Sequence, residues 1–467
     1  MQPAELNLHL SELQQQYRQQ PYPSLKERQQ WLQRLQQKLQ ADYSTLAEAL
    51  SDDYGQRPIQ ETQLADVVPV LQQLRYTRRR LKRWMKASKR HLDMALWPAK
   101  AEVQYQPKGV VGIIVPWNFP LMLSVGPLIN ALAAGNRVML KLSEYTPAFN
   151  QQLAQLLQRT LGDDVIRIIQ GDAPVAQAFS RLPFDHLLFT GSTAIGRHVM
   201  AAAADNLTPV TLELGGKSPV LIADDCPVEL AVARIAAGKC LNSGQICVAP
   251  DYVLCPEGKI AEFVSAFQQH YAKQYPLGIN SPDVASVINE GQFQRLQQLL
   301  ADAEQQGARV VPVAEPASDP VQRLLVPHLV TGVNDNMRLM AEEIFGPILP
   351  IVGYQKVEQA IDFINAGARP LALYVMSFDR QLQQQISQKT ISGGMAINDT
   401  LYQVAIDDAP FGGVGPSGMG HYHGHEGFLT FSHARTVFRR GKVSPGALLQ
   451  APYGRWWQRL ILRFLLR

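Results

Sequence analysis

The sequence predicts an α/β fold made of two doubly wound domains, and three observations carry that prediction. Short apolar runs alternate with helical stretches between residues 109 and 214. A second alternating set runs from residue 218 to residue 377. Runs this short, separated by helices, are parallel strands buried on both faces. The chain of 467 residues also exceeds the size at which one core keeps growing, so two or three domains are expected.

The elements follow in order. Residues 1–94 are rich in Gln, Leu, Glu and Arg, and Leu25, Trp31, Leu32, Leu35 and Leu39 recur at helical spacing, which predicts an all-helical segment. Residues 95–107 read as extended chain between prolines. Gly109–Val115 (GVVGIIV) is the first buried strand, followed by Pro116 and a helix. RVMLK (137–141), VIRII (165–169), HLLF (186–189) and PVTLEL (209–214) continue the alternation. The second set runs through SPVLI (218–222), YVLC (252–255), ILPIV (348–352) and LALYVMS (371–377). Residues 405–435 are rich in Gly and His. In sheets of this kind, ligands bind beyond the carboxyl ends of the strands.

Composition narrows the function. A hydrophobic fraction of 46% suits a globular protein. The first thirty residues lack a signal peptide's apolar stretch, and no apolar run is long enough to span a bilayer. Four cysteines, at 226, 240, 247 and 255, make no CxxC pair, so free thiols in a reducing cytosol are expected. The net charge of +4 is matched by Arg455, Arg459, Arg463 and Arg467 alone, which argues against a nucleic-acid protein with a general basic surface. The basic run Arg78–Arg90 reads as the solvated face of a helix that carries Leu81, Trp84 and Met85 on its other side.

Two features point to a cofactor. Phe189-Thr190-Gly191-Ser192-Thr193-Ala194-Ile195-Gly196 is a strand, a glycine turn and a helix start, where unpaired backbone N–H groups attract an anion. Its spacing is not GxGxxG, and no Gly-Lys-Ser/Thr follows to make a Walker A loop. Lys141-Leu142-Ser143-Glu144 ends the neighbouring strand, where an acid can accept hydrogen bonds from ribose hydroxyls. Taken alone, the glycine turn is equally well a plain strand-to-helix turn, and Glu144 reads rather as an N-cap or first-turn glutamate before Pro147.

Seven motifs occur in order: PWNFP (116–120), KLSE (141–144), FTGSTAIG (189–196), LELGGKSP (212–219), GQICVAP (244–250), EEIFGP (342–347) and PFGG (410–413). Together they resemble the NAD(P)-dependent aldehyde dehydrogenase superfamily over nearly the whole chain. The short N-terminus and the stretch SGMGHYHGHEGFLTFSH resemble its class-three branch, nearest to the coniferyl-aldehyde dehydrogenases. The resemblance implies NAD(P)-dependent oxidation of an aldehyde, aromatic such as coniferyl aldehyde or medium- to long-chain aliphatic, to the carboxylate. It also implies a homodimer. The implied layout puts a Rossmann-like cofactor domain at 108–214 with 1–94 belonging to it. A catalytic domain covers 215–395. A small bridging and oligomerisation β element is made by 95–107 and part of 396–435, and a basic tail covers 436–467.

The resemblance also implies residue roles. Cys247 is the nucleophile, forming a thiohemiacetal and then a thioester. A free thiol titrates near 8.5, so a polar pocket or helix N-terminus is expected to activate it. Asn118, with the Cys247 N–H, forms the oxyanion hole. Glu213 is the general base for thioester hydrolysis, and its apolar setting is expected to raise its pKa. Glu343 holds the nicotinamide ribose, with Phe345 against it. Lys141 and Glu144 contact the adenine ribose, Gly191, Ser192 and Gly196 form the pyrophosphate turn, and Trp117 packs beside the cofactor. NAD is expected over NADP, because Glu144 repels a 2′-phosphate, though Lys141 pulls the other way.

Cys226, Cys240 and Cys255 read as core residues, and FGGVGPSGMG as a structural loop near the substrate entrance. His421, His423 and His425 alternate like ligands, but no acid or cysteine completes a set, so no metal is expected. Two rivals are an acylating enzyme that uses CoA or phosphate, disfavoured by Glu213, and a cofactor-binding protein without turnover, disfavoured by the complete set of Cys247, Asn118 and Glu213. In the tail, the arginines follow one face of a helix and Trp457, Ile461, Phe464 and Leu465 the other. That apolar face is expected to pack on the enzyme or on a partner subunit, with loose membrane association through 452–467 as a secondary role of a cytoplasmic protein.

Overall fold

The computed structural model describes residues 2–93, 96–442 and 444–466. Ala95, where the expected extended segment opens, and Arg467, last of the tail arginines, lie outside the described residues. Helices Pro3–Gln19, Leu25–Tyr54 and Val68–Trp84 come early in the chain. Ser24 opens the second of these: its hydroxyl accepts the Glu27 N–H at 3.3 Å, and Glu27 accepts the Ser24 N–H at 2.8 Å, a capping box. Strands β1 (Ser88–Arg90), β2 (Lys100–Pro107), β3 (Val110–Ile114), β4 (Arg137–Lys141), β5 (Ile166–Ile169), β6 (His186–Thr190) and β7 (Val210–Glu213) follow. Next come β8 (Pro219–Ile222), β9 (Tyr252–Pro256), β10 (Arg309–Pro312), β11 (Ser318–Asp319), β12 (Leu324–Leu325), β13 (His328–Thr331), β14 (Ile348–Tyr354), β15 (Ala372–Met376) and β16 (Gly394–Ile397). The glycine-rich segment supplies β17 (Gly418–Met419). After it, β18 (Ser432–Arg439) precedes the helix Trp456–Leu465.

The strands build two main sheets. The first has the order β17-β7-β6-β3-β4-β5 and is parallel except for β17. Alternate residues of β3 serve opposite cores, as the pleat requires. Val110 and Ile114 meet Leu6, Leu10 and Leu13 of the first helix on one face. Val111 and Ile113 join Leu35, Leu128 and Leu153 from helices on the other. The second sheet, β10-β13-β14-β9-β8-β15-β16, is parallel except where β10 pairs β13. A third, antiparallel sheet, β1-β2-β18, joins residues far apart in the chain, with β18 pairing β2 from Ser432↔Pro107 to Arg439↔Lys100.

The structure departs from the sequence reading in several places. The basic run is not helical throughout: the helix stops at Trp84, and Ser88–Arg90 becomes β1, paired to β2. Strands β10, β13 and β16 were not legible, because four-residue segments such as RVVP and GMAI carry too short an apolar run. The glycine loop is not only a loop, since Gly418 and Met419 pair antiparallel with Glu213 and Leu212. A Cβ at Gly418 would lie 2.4 Å from the Leu212 carbonyl oxygen, so only glycine admits this approach. Strand β18 runs four residues past position 435 into the expected tail.

In that tail the helix buries Gln458, whose amide donates to the carbonyls of Leu448 and Gln450 at 3.2 and 2.8 Å. Phe464 and Leu465, expected to pack on the enzyme, are 68% and 42% exposed. Trp457 and Ile461, on the same expected face, are half-buried, and the segment 445–450 meets the first turn of the helix through Gln458.

Candidate active site

Three strand ends of the first sheet open on one cavity of about 900 Å³. Pro116, Trp117 and Asn118 follow β3, Gly191 to Ala194 follow β6, and Glu213 closes β7. From the second half of the chain come Cys247, Glu343 and Phe345. This is the crevice beyond the carboxyl ends of parallel strands where ligands are expected.

Cys247 sits in the loop between the helix Val228–Cys240 and β9. Asn242, Ser243 and Gly244 just before it all have left-handed backbone, with φ of 48°, 50° and 70°. Such a conformation costs roughly 1–2 kcal/mol for each residue with a side chain, so the loop needs anchors. Glu61 accepts the Asn242 N–H at 3.0 Å, Ser243 donates to Ala285 at 2.5 Å, and Gln245 donates back to the Asn242 carbonyl at 3.0 Å. The Asn118 amide nitrogen donates to the Gln245 carbonyl at 3.1 Å. That bond uses one of its two hydrogens and fixes the plane of the amide.

The electrostatics are those of a deep, dry pocket. Glu213 is buried, and neither carboxylate oxygen has a partner. Burial raises its pKa well above the ordinary carboxylate value, as the sequence led one to expect. The expected lowering of the Cys247 pKa is not found. Burial pushes the thiol up to about 12, the charges of Glu343 and Glu213 add to the rise, and the backbone N–H groups of Cys247 and Val248 act in the opposite sense. Burial likewise lifts Glu343 to about 8, against the pull of the Gly216 N–H, Lys217 and Arg295. Lys217 pairs with Asp251 and donates to the carbonyls of Leu339 and Glu342, and Arg295 donates to those of Glu343 and Ile344. The segment that presents Glu343 is therefore held by its backbone. Trp117 and Phe345 meet edge to face at 5.4 Å.

With this geometry in view, comparison with known proteins is decisive. Residues 7–437 match the Aldehyde dehydrogenase family. The chain belongs to the aldehyde dehydrogenase family. This aldehyde dehydrogenase is 49% identical, over 97% of its chain and 94% of the relative, to the Pseudomonas aeruginosa protein named "Probable coniferyl aldehyde dehydrogenase". It is 45% identical, over 88% and 85%, to "Coniferyl aldehyde dehydrogenase" of a Pseudomonas species. The solved structure "Substrate bound state of Staphylococcus Aureus AldH" superposes with a TM-score of 0.93 at 35% identity, covering 98% of this chain and 99% of the other. The protein is an NAD(P)-dependent enzyme that oxidises aldehydes.

The aldehyde dehydrogenase fold does not bring every expected site residue to the cavity wall. Lys141 and Glu144 lie at the end of β4, beside β3. The Lys141 amine is buried, donates to the Leu142 carbonyl at 2.7 Å and stands 3.8 Å from the exposed Glu144 carboxylate. Gly196 faces Leu214: a Cβ there would meet a Leu214 methyl at 2.6 Å, so its part is close packing of helix Thr193–Ala204 on the sheet. Ser192 caps that helix by accepting the Ile195 N–H at 3.4 Å, and the first turn opens on the cavity. A Cβ at Gly191 would lie 2.5 Å from the Phe189 ring. A bare glycine turn and a capped helix start that open on the cavity suit the phosphates of a dinucleotide.

The three histidines are not gathered into one site: His423 lies against Phe411 and Tyr422, and His425 stacks on Trp84. Sequence reasoning missed Tyr54, Arg57, Glu61, Asn242, Asp251 and Arg295, which hold the site from behind. Nothing in the residue order marks them, because the partners that tie them to the site lie from 34 to 188 positions away.

Proposed function

We propose that Cys247 is the nucleophile, Asn118 the side-chain donor of the oxyanion hole and Glu213 the base of this aldehyde oxidation. The reading rests on one observation: these three line a common cavity, and the Glu213 carboxyl has no protein partner to occupy it. The Cys247 sulfur, once deprotonated, adds to the aldehyde carbon. The Asn118 amide and the Cys247 N–H receive the charge on oxygen. Loss of that donor typically costs roughly 3–4 kcal/mol of barrier. NAD(P)⁺, when held in the cavity, would supply the hydride acceptor, and loss of hydride from the Cys247 thiohemiacetal carbon leaves a thioester on Cys247. Glu213 then takes a proton from water, whose oxygen displaces the sulfur and releases the carboxylate. Gly191 and Ser192 would hold the pyrophosphate, Glu343 the nicotinamide ribose, and Lys141 and Glu144 the adenine ribose, with Trp117 and Phe345 beside the reacting end. The exposed Glu144 carboxylate favours NAD over NADP.

The names of the two relatives support a coniferyl-type aromatic aldehyde, with medium- to long-chain aliphatic aldehydes as further substrates. Rates of the purified enzyme with NAD and NADP across an aldehyde panel test this. Higher kcat/KM on coniferyl aldehyde than on acetaldehyde, with NAD at least as good as NADP, is the expected result, and a preference for acetaldehyde overturns it. The product is the free acid in the presence of CoA or phosphate, and formation of an acyl-CoA or acyl phosphate favours the acylating rival.

The protein works as a homodimer, a reading supported by the family and by the unpaired sheet edge at β16. It also touches membranes. After Glu426 the chain has eight lysines and arginines and no acid. Trp456, Leu460, Phe464 and Leu466 are 70%, 58%, 68% and 83% exposed beside Arg459 and Arg463. No helix among the described residues is long and apolar enough to cross a bilayer. The fit is with an anionic surface, on which the helix lies flat.

A further inference from the structure

We propose that Arg57 is a positioning residue for aldehyde oxidation, gripping the backbone of the oxyanion donor Asn118. The proposal rests on the reading of Asn118 given above. Arg57 is 2% exposed, does not line the cavity, and stands 61 positions before Asn118 in the chain. Its Nη1 donates to the Asn118 carbonyl at 2.6 Å. The same carbonyl accepts from the Tyr54 hydroxyl and the Asn242 amide, each at 3.3 Å. Three donors on one carbonyl leave its peptide no freedom to rotate.

The partner of Arg57 completes the grip. Asp66 stands 3.4 Å from Nη2, and its other oxygen accepts the Met122 N–H at 2.8 Å. Met122 is in the first turn of the helix Pro120–Ala134 that begins two residues after Asn118. The buried pair therefore holds the segment 118–122 at both polarities, the cation on a carbonyl and the anion on an N–H. The rings of Tyr54 and Phe119 flank the guanidinium, each centroid 4.9 Å away.

The grip also reaches the thiol loop. Asn242 donates to Asn118 and to Gln245 through the same amide nitrogen, and the Gln245 carbonyl fixes the Asn118 side chain. Gln245 is two residues from Cys247. Donor and nucleophile are thus registered on one buried network centred on Arg57. A buried ion pair is a poor stabiliser, because desolvation offsets its attraction. Positioning is the effect left to it, and a small misplacement of a reacting group costs about 10²-fold in rate.

The test is a double-mutant cycle read by single-turnover hydride transfer, normalised to the titrated Cys247 thiol. Arg57→Lys keeps the charge and loses the planar fork. It is expected to slow hydride transfer ~10- to 100-fold, with the KM for NAD unchanged. In an Asn118→Ala background the same change is expected to have no further effect, because the donor it positions is gone. Tyr54→Phe removes a second donor from the same carbonyl with little loss of packing, and a several-fold slowing is expected. It decides the matter if Arg57→Lys does not fold. Wild-type hydride transfer per thiol in Arg57→Lys, or in Tyr54→Phe where only that variant folds, overturns the proposal. So does an undiminished Arg57→Lys effect on top of Asn118→Ala. If Asn118→Ala alone keeps the wild-type rate, it is the underlying reading of the oxyanion hole that fails.

Discussion

Cys247 and Glu213 show how far burial governs single side chains here. The thiol and the carboxyl share a pocket that disfavours charge on either, and burial raises the pKa of both. Cys247→Ala is expected to abolish oxidation while leaving NAD binding, read by fluorescence titration, intact. Cys240→Ala is expected to retain activity. Glu213→Gln is expected to let hydride transfer proceed and to slow deacylation ~10²- to 10⁴-fold, seen as a burst of NADH and an acyl-enzyme by mass spectrometry. The same substitution has a pH signature. The folded protein holds the Glu213 proton above the pH at which the unfolded chain releases it. Wild-type stability from this group is therefore full below about pH 4.5 and declines as pH rises toward the elevated folded pKa. Gln has no proton to lose, so thermal unfolding is expected to show Glu213→Gln gaining on wild type as pH rises above about 4.5. An equal or shrinking difference contradicts the buried neutral carboxyl. These two residues were legible in the sequence because they stand in dense local motifs. Arg57 was not, because its surroundings, DYGQRPIQ, say nothing of the carbonyl it reaches 61 positions later.

Among the elements, long apolar runs gave away their strands, and two-residue or polar ones did not. GVVGIIV and LALYVMS carry enough consecutive apolar residues to be read as buried strands. Gly418–Met419 cannot be, because its pairing depends on a backbone surface that β7 provides. That short strand has a consequence for the base, since Gly418 pairs with Glu213 itself. Gly418→Ala is expected to destabilise by at least about 2 kcal/mol, since the Leu212 carbonyl is backbone and cannot move aside as a side chain would. Calorimetry is expected to show a midpoint lower by several degrees, and deacylation is expected to fall more than hydride transfer, because the strand carrying Glu213 loses its edge. An unchanged midpoint would falsify the close approach at Gly418.

At the level of the molecule, charge is unevenly placed: the C-terminal segment is basic and the remainder carries a small acidic excess. Deleting residues 452–467 is expected to abolish binding to vesicles of anionic phospholipid while leaving oligomeric state, thermal midpoint and aldehyde preference as they were. Loss of the dimer or of chain-length preference, with vesicle binding retained, would show that the helix packs on protein instead. The two α/β halves were foreseen from alternation alone, but the sheet β1-β2-β18 depends on pairing across more than 300 residues, which no local pattern encodes. That long pairing also bears on biosynthesis. β7 leaves the ribosome about 200 residues before β17, a delay on the order of 10–40 s at ordinary rates of translation. Through that interval the strand bearing Glu213 is the open edge of a nascent sheet, a place where another strand can add. The first half of the enzyme is thus made early and sealed last, and a nascent chain stalled between residues 214 and 417 is the species with most need of a chaperone.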